Sequence, residues 1–139
     1  QVREAIDRNE PETALDRLHT YTVKFVRELC DKHRIAYDKD KPLHSFFGEY
    51  VKHLSKSGLI KSVMTERILK TAISNLEAFN DVRNNQSFAH DNSILNYHES
   101  LLIFKNISSI VEFINSIEEP TVQTAKAVDK NSFEEDLPF

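Results

Sequence analysis

The residues best equipped for chemistry lie in one polar stretch, Asp81-Val82-Arg83-Asn84-Asn85-Gln86-Ser87-Phe88-Ala89-His90-Asp91, where six residues separate Arg83 from His90. A histidine titrates near neutrality, so it can take up or release a proton at physiological pH. An arginine stays charged and presents a planar fork of donors that fits phosphate oxygens. Together the two suit cleavage of RNA by its own 2′-hydroxyl, which needs proton transfer and stabilisation of a crowded, doubly charged phosphorane. Such a step requires no metal in principle. Asn84 is available to orient a phosphate or hold the loop, and Asp81 to support His90 or Arg83. A structural reading runs beside this one. In it Arg83 caps the negative C-terminal end of a helix, His90 bonds within a polar loop and Asp81 is solvated.

Other candidates carry less. Arg27 and His33 repeat the arrangement with five residues between them, but inside a long amphipathic helix, and are read as coincidence. Cys30 and His33 share a helix face, yet a lone cysteine on an apolar stripe is core. His19, His44, His53 and His98 show no metal-ligand spacing, and no glycine-rich phosphate loop is present.

The elements that must position Arg83 and His90 are helices. Glycine and proline number only 2 and 4, which disfavours an all-β fold with many tight turns. Residues 2–8 suit a short opening helix. Pro11 then sits at a helix start, followed by Ala14, Leu15, Leu18, Tyr21, Thr22, Phe25, Val26, Leu29 and Cys30 at three- and four-residue steps. Asp38 to Lys41 form a charged loop. A second stripe runs from Leu43 through Phe46, Phe47, Tyr50 and Val51 to Leu54, and Ser55 to Gly58 break it. A third helix, from about Leu59 or Thr65 to Val82, carries Ile68, Leu69, Ala72, Ile73, Leu76 and Phe79. The last, from about Ile94 to Ile117, carries Leu101, Leu102, Phe104, Ile107, Ile110, Val111, Phe113 and Ile114. Amphipathic helices with short connections predict an all-α antiparallel bundle over 1–119. Periodicity stops after Pro120, so residues 120–139 are expected to form a disordered acidic tail.

Apolar residues make up 40% and charged residues 29%, enough for one core. The formal net charge of −4 argues against a broad electrostatic surface for nucleic acid, so any such contact must be local or assembled from two chains. A single cysteine precludes an intrachain disulfide and points to a reducing, cytoplasmic setting. No apolar stretch approaches membrane-spanning length, and no signal peptide is visible. The chain begins with Gln1 rather than Met, which leaves room for an upstream domain.

Three stretches resemble one family. Asn9-Glu10-Pro11-Glu12-Thr13-Ala14-Leu15 is similar to the opening of the abortive-infection C-terminal family of HEPN domains. Tyr37-Asp38-Lys39-Asp40-Lys41-Pro42-Leu43 is similar to its link into the next helix, and Phe79-Asn80-Asp81-Val82-Arg83-Asn84 to its approach to the Arg-Asn…His signature. The resemblance covers roughly residues 9–117 and departs after His90, where the family often has glycine and this chain has Asp91. It implies a HEPN-like bundle of four to five helices. It also implies a metal-independent endoribonuclease of a phage-defence or toxin system, needing no cofactor, with Arg83 and His90 paired across a homodimer on an RNA substrate. The alternative it leaves open is a catalytically silent module that dimerises or binds a partner within a larger defence protein. Position 92 is Asn rather than Tyr, so the regulation of HEPN toxins that are adenylylated near their histidine does not carry over. Separately, Glu134-Glu135-Asp136-Leu137-Pro138-Phe139 resembles the acidic tip of bacterial single-stranded-DNA-binding proteins, which implies a protein-docking role for Asp136, Leu137, Pro138 and Phe139.

Overall fold

The computed structural model describes residues 2–8, 10–84 and 97–119, with the side chains of residues 11, 12 and 79–84 outside that description. Five α-helices follow one another: α1 (Val2–Asp7), α2 (Pro11–Lys32), α3 (Leu43–Lys56), α4 (Val63–Asn84) and α5 (Tyr97–Glu118). No strand occurs among the described residues. The expected all-α bundle of four to five helices is met with five, but α2 and α3 run parallel where an antiparallel bundle was expected. The expected tail, 120–139, lies outside the described residues.

The helix ends follow from local chemistry. Pro11 opens α2, where a missing N–H costs nothing. Ser62 caps α4 by accepting hydrogen bonds from the Met64 and Thr65 backbone N–H groups at 3.1 and 3.4 Å. α3 begins after Pro42, which offers no cap of its own. Glu77 of α4 supplies one by accepting the His44 backbone N–H at 2.9 Å, and its other oxygen pairs with His44 Nδ1. At the far end of α3, Gly58 takes a left-handed φ of 79°. Leu59 N–H then reaches Leu54 O at 3.0 Å and Gly58 N–H reaches Ser55 O at 3.2 Å, the paired bonds that close a helix C-terminus. α2 ends by the same turn, with Ile35 N–H to Cys30 O at 2.8 Å and Arg34 N–H to Asp31 O at 3.2 Å. There the left-handed residue is Arg34, φ 56°.

One core runs through all five helices. Ile6, Leu18, Val26, Phe46, Phe47, Tyr50, Leu54, Leu69, Ile73, Leu76, Ile107 and Ile114 are all buried. α3 and α4 lie antiparallel, since His44 meets Glu77 and Ser55 meets Glu66. α2 and α3 advance in the same sense: Arg27 and Cys30 meet Phe46, and His33 meets Tyr50 and His53. The segment from His33 to Pro42 makes that possible. It runs back along the bundle, with Ile35 and Tyr37 packed on the core and the Tyr37 ring 5.5 Å from that of Phe46.

Three details correct the sequence reading. Ile68, Leu102 and Phe113 belong to apolar stripes but are exposed, while Ile103, outside the expected stripe, is buried. Helix α4 begins at Val63, between the two expected starts, and its helical backbone continues to Asn84. Helix α5 is long and apolar enough, by length and composition, to cross a membrane. Its buried Ile103, Phe104, Ile107, Val111 and Ile114 recur at helical spacing and join the common core, which is the pattern of a core helix.

Candidate functional site

The route to Arg83 runs through α4. Leu69, Ala72, Ile73 and Leu76 pin its inner face, and Glu77 ties it to the start of α3. Arg83 follows six residues later in the last turn, about 9 Å further along the axis at 1.5 Å per residue. Asp81 and Asn84 share that turn. This backbone position suits a phosphate-binding arginine and equally one that complements the helix's negative end. The side chains of Asp81, Arg83 and Asn84 lie outside the described residues, as do the whole of His90 and the segment Asp136–Phe139.

The second Arg–His pair is pulled apart. Six positions along an α-helix turn side chains roughly 120° from each other. Accordingly, the Arg27 guanidinium stands over the Phe46 ring, 5.6 Å from its centroid, and Nη2 donates to Lys39 O at 3.2 Å. His33, at the C-cap of α2, faces α5 instead. Reading this pair as a coincidence of spacing agrees with that geometry.

His33 meets a cluster at the end of α5. Its Nε2 lies 2.8 Å from both carboxylate oxygens of Glu118, the last residue of α5. Tyr50 donates its phenolic O–H to Glu118 Oε1, and Lys32 Nζ reaches Oε2 at 3.2 Å. The His53 ring stands 4.6 Å from that of His33. Burial alone would raise the Glu118 pKa, since the side chain is 6% exposed. The hydrogen bonds from Tyr50, His33 and Lys32 outweigh burial and hold it below the usual carboxylate range. Burial, reinforced by the bond to Glu118, pushes the Tyr50 phenol well above its ordinary value, so it stays a donor. The cluster ties the ends of α2 and α5 to the middle of α3. Sequence carried no local signal for it, because Tyr50 and Glu118 are 68 residues apart and Tyr50 reads as one more core position.

Cys30 is fully buried, its Sγ 3.8 Å from Phe46 O, and burial raises its pKa to about 11. It is a core thiol, as expected. No group of three or more His, Cys, Asp or Glu side chains among the described residues is set to hold a metal ion.

Against known proteins, the model of the Abi_C family, described as a HEPN-like domain, matches residues 1–118. The chain belongs to the HEPN-like Abi_C family. The match spans all five helices and both ends of the Arg83–His90 stretch, and extends the resemblance legible from residues 9–117 to the first helix. Neither curated proteins nor solved structures give a significant match.

Proposed function

We propose that this Abi_C domain is a metal-independent endoribonuclease of an abortive-infection or toxin system, acting in the cytoplasm as a homodimer with Arg83 and His90 of both chains at the site. The observation that carries the reading is the conjunction of family and motif. A HEPN-like family model spans residues 1–118, and within that span the Arg-Asn…His signature begins in the last turn of α4. Arg83 would bind and neutralise the phosphate oxygens of the scissile link, and His90 would transfer the proton to or from the reacting oxygens. Asn84 and Asp81 would orient the two. Pairing two such sets across a dimer concentrates positive charge in one cleft, which an acidic chain of net charge −4 needs in order to hold RNA. The silent partner-binding module is the competing reading.

The test is incubation of the purified chain with mixed RNA in EDTA, beside Arg83→Ala and His90→Ala variants. Cleavage by the parent alone, leaving 2′,3′-cyclic phosphate ends, is expected. An RNA left intact by the parent, or cut equally by all three proteins, contradicts the proposal and favours the silent module.

A further inference from the structure

The most concentrated unexplained surface among the described residues lies at the start of α4. Val63 is 79% exposed, Met64 and Ile68 follow it on the outward face of the helix, and Leu59 precedes it in the turn after α3. Burial is where such side chains gain free energy, and the bundle core does not take them. Beside them is a recess of about 410 Å³, with Gly58, Ile60, Lys61 and Val63 in its wall. Glu66 shares that wall with Lys61, and the excess of positive charge lies around the recess rather than in it. From Leu59 to Lys70 the bases are Lys61, Arg67 and Lys70, all exposed, and the sole acid, Glu66, accepts a hydrogen bond from Ser55 Oγ at 2.7 Å.

The chain contains a segment of complementary chemistry. Phe133-Glu134-Glu135-Asp136-Leu137-Pro138-Phe139 carries three acids, no base, two phenylalanines and a leucine. We propose that this segment folds back onto the same chain, seating its apolar side chains on Leu59, Val63, Met64 and Ile68 with its acids against Lys61, Arg67 and Lys70.

The root of the segment makes the fold-back short. Glu118 is held by Tyr50 and His33, and His33 stands against His53 in the last turn of α3. Gly58 lies five residues beyond His53, and α4 begins five residues after that. From Glu119, the fifteen residues to Glu134 can span up to roughly 50 Å at about 3.3 Å per residue. That is ample for a patch at the same end of the bundle. Tethering keeps the local concentration of the segment in the millimolar range, so modest contacts suffice. The proposal stands whether or not Arg83 and His90 cleave RNA.

The experiment follows amide resonances of the intact chain. Two variants alter the segment, Phe133→Asp and Leu137→Asp, and two alter the patch, Ile68→Asp and Arg67→Glu. Both patch residues are exposed, so these two substitutions spare the core. Segment variants are expected to shift Leu59–Lys70 resonances, patch variants to shift those of Glu134–Phe139, and high salt to weaken both effects by screening the charge pairs. None of this is expected to change on dilution. Shifts confined to the neighbourhood of each substitution overturn the proposal. Reciprocal shifts that fade on dilution overturn it in favour of a second copy's segment. A patch whose resonances move only on dilution, untouched by the segment variants, would be a contact between copies and would equally overturn it.

Discussion

At the scale of single residues, the chemistry divides between a motif legible in the sequence and a cluster legible only in three dimensions. Arg83 and His90 could be named because they resemble a family's Arg-Asn…His signature at a junction between two helices; residue types and spacing alone fit Arg27 and His33 as well. Glu118 could not, since its meaning comes from Tyr50, His33 and Lys32, which the fold alone brings to it. That cluster predicts stability. Tyr50→Phe leaves Glu118 short of a donor in a nearly dry site and should cost about 1.5–3 kcal/mol in urea unfolding. The pH dependence has a definite sign. Because the folded-state pKa of Glu118 is lowered, its contribution is fully present above the ordinary glutamate value of about 4.3 and is lost as pH falls through the lower folded value. The stability gap between the parent and Glu118→Gln should therefore be widest near neutrality and close in acid. Cys30, with its pKa raised to about 11 and its side chain fully buried, should resist thiol reagents at neutral pH until the chain unfolds.

At the scale of elements, helices were readable where one period decided burial. The whole α3 stripe, Leu43, Phe46, Phe47, Tyr50, Val51 and Leu54, is buried as its spacing demands. Periodicity was weaker for α4 and α5. Their apolar residues spread around more of the helix, so Ile68, Leu102 and Phe113 fit a stripe on paper and face outward in the fold. The turns that end α2 and α3 show a contrast sequence only half reveals. Gly58 announces its left-handed turn, whereas Arg34 adopts the same conformation with no glycine to signal it. A left-handed L-residue costs roughly 1–2 kcal/mol, and glycine returns part of that gain as unfolded-state entropy. Arg34→Gly should accordingly stabilise the chain by about 0.5–1 kcal/mol. Gly58→Ala should destabilise it by about 1–2 kcal/mol through backbone conformation alone, since an added Cβ there meets no atom within 4 Å. Thermal melts of the two variants should shift in opposite directions.

At the scale of the molecule, five helices and a HEPN-like family model over residues 1–118 give the frame, and the proposed chemistry sits where α4 ends. The sense of packing was the least legible feature. Sequence periodicity cannot say that α2 and α3 advance side by side, because that depends on the 33–42 segment running back along them. If the active unit is a homodimer that pools two Arg–His sets, specific activity should fall on dilution in step with dimer dissociation followed by light scattering. Activity per chain that stays constant through dissociation would remove the shared site.

In the proposed reaction everything turns on His90 moving a proton during RNA cleavage. The most direct measurement is the single-turnover rate on a short RNA in EDTA for the parent chain and His90→Ala, with the same strand 2′-O-methylated throughout as control. Positioned proton transfer is typically worth about 10²–10⁴-fold. A loss of that order is expected in the variant, with no cleavage of the methylated strand by either protein. Equal rates for the two proteins, or cutting of the methylated strand, would contradict the proposed reaction.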